Sequence, residues 1–311
     1  MQVITELTKD TIKQPTGVGL GNFDGLHIGH MALINTVINE CKLNGLSSVV
    51  FTFNKHPENI LRKQLYNPII TTNEHKKKLL EAINLDVLCY QEFDESFSRL
   101  SPEDFIQDIL IKKLRIRLAV VGFNYRFGFM GKGDVDFLKK AGEKYGFKVI
   151  VVPPVKVNAE IVSSTLIREY IKKGKMERVF QLLGRHFSLS GTVVPGRHIG
   201  RTLGFPTANI TARPEMIVPA NGVYITKTRL EGDSWYNSVT NVGIAPTVRD
   251  GHTFSIETHL IDYRNDLYGH DIEVCFIEKL RGEKKFENVE ALKKQVIEDI
   301  EKAKKYWQIL A

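Results

Sequence analysis

The sequence predicts two fold classes in one chain: an α/β amino-terminal half on a parallel sheet, then an all-β carboxy-terminal half closed by a helix. In the first half, short apolar runs alternate with amphipathic segments of helical period, the rhythm of βαβ units. Beyond Pro153-Pro154 and two more helical segments, the pattern changes to short alternating runs punctuated by glycine and proline. The last segment carries Val289, Leu292, Val296, Ile300, Ala303 and Trp307 at helical spacing, a stripe suited to packing on the sheet before it. A chain of 311 residues suits two domains, and the change of pattern places them at 1–184 and 185–311.

In order, the strands expected in the first half are Gly17–Leu20, Ser48–Phe53, Asp86–Tyr90, Leu118–Val121 and Lys148–Val152. Helices are expected between them at Ile28–Leu43, Asn73–Ile83, Pro102–Leu114 and Val135–Tyr145, then at Ser164–Lys172 and Met176–Leu183. The later runs are Leu189–Val194, Val223–Leu230, Trp235–Val242, Thr253–Leu260 and Glu273–Ile277, as in an antiparallel barrel or sandwich.

Composition narrows the function. No stretch of eighteen apolar residues occurs, and the start of the chain bears Glu6 and Asp10 without an apolar core segment. Neither a transmembrane helix nor a secretory signal is expected. Cys41, Cys89 and Cys275 are odd in number and far apart, which disfavours a disulfide framework or zinc site and suits a reducing cytoplasm. The net charge of +7 raises the question of nucleic acid. Its lysines, however, fall in clusters such as Lys76-Lys77-Lys78 and Lys293-Lys294, read as solvated helix faces, and no nucleic-acid signature accompanies them. The basic excess suits polyphosphate substrates equally well.

The most informative stretch is Gly21-Asn22-Phe23-Asp24-Gly25-Leu26-His27-Ile28-Gly29-His30, which follows a strand and opens a helix. Backbone N–H groups and the positive helix end make such a turn an anion site. His27 and His30 lie on one helical face, able to reach one phosphate, unless they are merely surface histidines after a turn. Phe53-Asn54-Lys55-His56-Pro57 and Val121-Gly122-Phe123-Asn124-Tyr125-Arg126-Phe127-Gly128 also leave strands, the latter as a packed turn or a site. Ser163-Ser164-Thr165-Leu166-Ile167-Arg168 reads as a helix start whose hydroxyls cap the first turn. Its Arg168 faces either phosphate or solvent.

In the second half, Pro195 to Asn209 gathers Gly196, Gly200, Arg201 and Gly204, able to wrap a polyphosphate through backbone N–H groups and guanidinium. Thr207 and Asn209 fall on one side of an extended segment and offer hard oxygens suited to magnesium. Glu257 shares a strand face with Ser255 and His259, opposite Phe254, Ile256, Thr258 and Leu260. It is a general base for a hydroxyl or simply an exposed strand residue.

Taken together, these motifs resemble the bacterial bifunctional riboflavin kinase/FAD synthetase family, whose first module belongs to the HxGH nucleotidyltransferases. The first half matches in Gly-Asn-Phe-Asp-Gly-Leu-His-x-Gly-His, Phe-Asn-x-His-Pro, Val-Gly-x-Asn-Tyr-Arg-Phe-Gly and Ser-Ser-Thr-x-Ile-Arg, in the family's order and spacing. The second half matches in Gly-Arg-Thr-Leu-Gly-Phe-Pro-Thr-Ala-Asn, Gly222-Val223-Tyr224, Asn241-Val242-Gly243 with Pro246-Thr247, Glu-Thr-His-Leu and Leu280-Arg281. The resemblance implies a Rossmann-like nucleotidyltransferase domain and a six-stranded riboflavin-kinase barrel with a terminal helix.

It also implies substrates riboflavin, FMN and ATP, with magnesium accompanying ATP. Gly21, Asn22, Phe23, Asp24, His27, His30, Asn124, Ser163, Ser164, Thr165 and Arg168 would bind the nucleotide for adenylyl transfer, with His27 and His30 stabilising charge. In the kinase, Gly196, Gly200, Arg201, Gly204, Thr207 and Asn209 would hold ATP, with Thr207 and Asn209 at the metal. Glu257 would be the base, and Arg281 would border the flavin. No nucleic-acid or membrane partner is implied, and oligomeric state is left open. A regulator built on the same domains would need neither the imidazole pair nor Glu257.

Overall fold

The computed structural model describes residues 1–61, 67–196, 200, 204–245 and 253–310. The chain divides into two compact units, Met1–Ser164 and Thr165–Ala311.

In the first unit, strands β1 (Gln2–Ile4), β2 (Thr16–Leu20), β3 (Ser47–Phe53), β4 (Val87–Gln91), β5 (Ile116–Gly122) and β6 (Lys148–Val152) form one parallel sheet. Their spatial order is β1-β4-β3-β2-β5-β6, with β2 between β3 and β5. All five expected strands are present, and the edge strand β1 is added to them. Helices cover the sheet: α1 (Ile28–Asn44), α2 (Pro57–Leu61), α3 (Asn73–Glu81), α4 (Glu95–Ser98), α5 (Pro102–Asp104) and α6 (Val135–Tyr145).

Strand β2 is buried along its whole length, and its two glycines explain how α1 lies on it so closely. A Cβ on Gly17 would run into Cys41 Sγ of α1, and one on Gly19 would come 3.0 Å from Val37 Cγ2 and 3.1 Å from Leu33 Cδ2. Leu33, Ile34, Val37 and Cys41 supply the buried face of the helix. Gly45, left-handed at φ 63°, ends it and returns its N–H to Cys41 O.

Two expectations are corrected in this unit. The helix expected over Pro102–Leu114 is a short α turn, α5, followed by a π-helix over Phe105–Ile111. The wider winding buries Phe105, Ile106, Ile109 and Leu110 together, with Phe105 in edge contact with Phe51 and Phe97. The Lys76-Lys77-Lys78 cluster is not a solvated face throughout, because Lys76 is only 3% exposed. A hairpin of β7 (Lys156–Val157) and β8 (Glu160–Ile161), not foreseen, precedes Ser163.

In the second unit, α7 (Ser164–Lys172) and α8 (Met176–Leu183) precede a closed barrel, α7 starting one residue before the unit boundary. Helix α8 turns Met176, Val179, Leu182 and Leu183 inward. The barrel strands are β9 (Phe187–Val194), β10 (Ala208–Thr211), β11 (Gly222–Arg229), β12 (Trp235–Ala245), β13 (Thr253–Leu260) and β14 (Asp271–Arg281). Every pairing is antiparallel, and the order β10-β13-β12-β11-β14-β9 closes through β9 and β10.

Part of the barrel interior is polar. The hydroxyls of Thr226, Thr228, Ser238, Thr240 and Thr258 are buried and satisfy one another, with Thr226 Oγ1 2.7 Å from both Ser238 Oγ and Thr240 Oγ1. Outside, the helix Val289–Leu310 packs Val296, Ile300, Ala303 and Trp307 against Val223, Ile225, Val239 and Ile277. Val289 departs from the expected stripe: it is the first helical residue and stands 60% exposed. Buried Asp299 joins this helix to the barrel through a bidentate pair with Arg281, Oδ2 lying 2.9 Å from Nε and 2.7 Å from NH2.

The tight α1–β2 contact is testable. Gly17→Ala should destabilise the protein by about 1–3 kcal/mol, the range for overpacking a core. Adding Cys41→Ala should recover most of that loss in thermal or urea unfolding, because the clash is with the sulfur.

Candidate functional site

Strands β3, β2 and β5 are neighbours at the centre of the parallel sheet, and each ends in a sequence motif. The turn Gly21–His27 leaves β2, Asn54–Pro57 leaves β3, and Phe123–Gly128 leaves β5. A parallel pairing brings these carboxyl ends to one edge, where such sheets bind ligands.

The turn after β2 is strained and held from several sides. Phe23 (φ 49°) and Leu26 (φ 40°) adopt left-handed backbone without being glycine. Both side chains are buried. Gly25, at φ 83°, passes so close to Ile70 that a Cβ would sit 3.2 Å from Ile70 Cδ1. The carbonyl of Asn22 accepts from Thr52 Oγ1 at 2.8 Å and from Lys76 Nζ at 3.2 Å. Buried Asp24 accepts from the backbone N–H of Ile70 at 3.0 Å and of Thr71 at 3.3 Å, and its carbonyl takes the Ser164 hydroxyl at 2.9 Å. Ser164 thus ties the late serine motif to the first turn.

His27 is the N-cap of α1: its Nδ1 accepts the His30 N–H at 3.1 Å. That acceptor role puts the ring proton of neutral His27 on Nε2, making its other edge a donor. The His27 and His30 rings stack with centroids 3.5 Å apart at 17°, and Phe23 stands edge-on to His30 at 5.3 Å. Gly29 leaves room for the His27 ring, since a Cβ there would lie 3.2 Å from His27 Cε1 and Nδ1. The pair is therefore a built feature of the helix start, not two independent surface histidines.

Asn124 is exposed in the turn after β5, beside Gly122. Phe127, two residues after Tyr125, is buried and packs on Phe105 at 5.4 Å, anchoring that turn. In the second unit, Thr165 stands in the first turn of α7 and Arg168 is 7% exposed on the same helix.

A cavity of about 280 Å³ opens at the β10–β13 edge of the barrel and is lined by Gly196, Thr207, Asn209 and Glu257. Asn209 and Glu257 are direct register partners across these strands. Ser255 Oγ lies 3.0 Å from Glu257 Oε1 and 3.3 Å from Asn209 Oδ1, linking carboxylate and amide. The alternation expected for β13 holds at its buried face, where Ile256, Thr258 and Leu260 point inward, although Phe254 stands 37% exposed. Two glycines bring the preceding loop close. A Cβ on Gly196 would fall 2.5 Å from Asn209 Nδ2, and one on Gly200 would fall 2.5 Å from Phe205 O and 3.3 Å from Thr207 Oγ1. Gly204 is left-handed at φ 90°. Arg201, Pro246 and Thr247 lie outside the described residues. Arg281 of β14 is held by Asp299 and lies over the Phe286 ring at 5.9 Å.

Sequence reasoning passed over two sets of residues. Tyr263, Arg264, Asp266 and Tyr268 line the barrel cavity from the loop after β13, where no motif had marked them. Lys76 meets the first turn at the Asn22 carbonyl. Burial lowers its pKa to about 8, against the pull of Asp24. The available signal was its spacing: Lys76 and buried Leu80 are four apart, on one helical face.

Known proteins agree with both halves. A family model described as FAD synthetase matches residues 9–166, and one described as riboflavin kinase matches residues 183–307. The chain is 36% identical to a bifunctional riboflavin kinase/FMN adenylyltransferase of Buchnera aphidicola subsp. Schizaphis graminum, covering 96% of each chain. It is 35% identical to the protein of the same name from Escherichia coli K12, over 90% of this chain and 89% of that one. A crystal structure named as a macrolide-efflux protein from Streptococcus pneumoniae superimposes with a TM-score of 0.88 at 30% identity, over 98% of this chain and 99% of the other. Among the described residues, no helix is long and apolar enough to cross a membrane. With two domain models in series and bifunctional relatives aligned from end to end, the chain belongs to the bifunctional riboflavin kinase/FMN adenylyltransferase family.

Proposed function

We propose that the family's two reactions are divided between the two sites described: adenylyl transfer at the Gly21–His30 turn, phosphoryl transfer at the Glu257 cavity. The protein itself phosphorylates riboflavin with ATP to FMN, then adenylates FMN with a second ATP to FAD and pyrophosphate. The division is supported above all by the way each cluster is assembled, with stacked imidazoles at a helix start in one and a carboxylate registered with an amide in the other.

In adenylyl transfer, a phosphate oxygen of FMN attacks the α-phosphorus of ATP as the bond to the bridging oxygen breaks and pyrophosphate leaves. No covalent enzyme intermediate is required, so the protein contributes position and charge stabilisation. The His27 Nε2–H, His30 and the N-terminal dipole of α1 stabilise the negative charge that builds on the phosphates. Asn22, Phe23 and Asp24 shape the turn around Gly21, Ser163 and Ser164 adjoin it, and Asn124 positions the nucleotide. Thr165 and Arg168 enter this reading through their sequence motif alone; the adenylyltransferase module is taken as 1–184 and the kinase as 185–311 from the change of pattern along the chain.

In phosphoryl transfer, Glu257 takes the proton of the ribityl 5′-hydroxyl as that oxygen attacks the γ-phosphorus of ATP and ADP leaves. Ser255 orients the carboxylate. Gly196, Gly200 and Gly204 offer backbone N–H groups to the polyphosphate, and Arg201 joins them through its sequence motif alone. The hard oxygens of Thr207 and Asn209, beside Glu257 on one cavity wall, fit magnesium, which when bound offsets phosphate charge. Arg281 belongs to the flavin edge as a residue whose orientation Asp299 sets.

Three outcomes test the division, with FMN and FAD followed separately by chromatography. His30→Ala should cut FAD formation by about two orders of magnitude, the scale of losing one transition-state contact, and spare FMN formation; equal loss of both would refute separate sites. Glu257→Gln should do the reverse, and undiminished kinase turnover would remove Glu257 as the base. Asn209→Ala should raise the magnesium concentration for half-maximal FMN formation by about tenfold, comparable to other losses at metal sites, with conversion of added FMN to FAD unchanged.

A further inference from the structure

We propose that Lys76 is a positioning residue for adenylyl transfer, a buried cation that clamps the Asn22–Asp24 turn in the conformation aimed at the ATP phosphates. The proposal rests on the reading of the Gly21–His30 turn as the adenylyl-transfer site.

Lys76 sits in α3 at 3% exposure, a position where an apolar side chain would satisfy packing at less cost than an ammonium group. Its presence is not required to satisfy the Asn22 carbonyl, which already accepts from Thr52 Oγ1 at 2.8 Å. What lysine adds is charge. The ammonium donates to the same carbonyl at 3.2 Å and feels the Asp24 carboxylate, whose oxygens meanwhile hold the Ile70 and Thr71 N–H groups. Both contacts fall on a segment whose residues Phe23 and Leu26 are left-handed without being glycine, a conformation that persists only when its surroundings impose it. The pull on Asn22 O and Asp24 bears directly on the backbone flanking Phe23, whose ring packs edge-on against His30. Lys76 is thereby connected, through Phe23, to the imidazole stack. Its positive charge against the turn also favours an anion nearby.

The test is steady-state kinetics of FAD formation on Lys76→Met, Lys76→Gln and Thr52→Val, in the full chain with FMN formation and thermal melting as folding controls. Lys76→Met should raise KM for ATP about tenfold and lower kcat about tenfold, with Lys76→Gln, a neutral donor, intermediate. A purely structural role would reduce the folded fraction and leave KM of the remainder unchanged. Thr52→Val removes the companion hydrogen bond without touching charge, and should raise KM for ATP by a smaller factor. It keeps the clamp testable if Lys76→Met does not fold. KM and kcat within twofold of the parent in Lys76→Gln and Thr52→Val would overturn the proposal. His30→Ala run alongside separates the two readings: if it cuts FAD formation by about two orders of magnitude while the Lys76 and Thr52 variants stay within twofold of the parent, only the clamp fails; if it leaves FAD formation intact, the site assignment fails with it.

Discussion

The first unit depends on one strained turn. Six residues, Gly21 to Leu26, must leave the buried strand β2 and deliver His27 as the cap of α1, and they do so with two non-glycine residues at positive φ. Left-handed backbone at such positions costs on the order of 1–3 kcal/mol each. The surroundings offset that cost with buried contacts from three separate stretches of chain: Thr52 at the end of β3, Ile70 to Lys76 ahead of and within α3, and Ser164 at the start of α7. The contacts that hold the turn come from the fold, and they connect to the imidazole pair through the Nδ1 cap and the Phe23 contact.

On the proposed division, the two sites would meet a common demand, stabilising a polyphosphate during displacement at phosphorus, with different secondary structure. A parallel sheet directs its loops to one edge and places a helix N-terminus there, so a dipole and imidazoles are the groups it has to offer. An antiparallel barrel has no such helix. It offers a cavity at a strand pair, glycines that bring a loop against the wall, and side-chain oxygens set by cross-strand register. The hydroxyl layer inside the barrel ties β11, β12 and β13 to one another without requiring a wholly apolar interior.

Much of this was legible in the amino-acid order. The five expected strands of the sheet and the change to antiparallel runs followed from period and turn residues, because burial on one or both faces dictates that patterning. The HxGH stretch, the Thr207–Asn209 segment and Glu257 were legible because each motif is local. Less legible were features set by contacts distant in sequence. The π-helix at Phe105–Ile111 answers to an aromatic cluster drawn from β3, α4 and the Phe127 turn. The burial of Lys76, hidden within a run of three lysines, reflects a turn more than fifty positions earlier.

By itself the sequence determined the family, the order of the two modules and the residue types available for chemistry, since spacing along the chain encodes period and motif. The tertiary structure decided which side chains carry structural charge and which face a cavity. Asp24 turns out to hold the Ile70–Thr71 backbone, Arg281 is engaged by Asp299, and the loop bearing Arg264 and Tyr268 borders the cavity beside Glu257. The physical reason is that burial and pairing are properties of neighbours in space, which only folding brings within reach of one another.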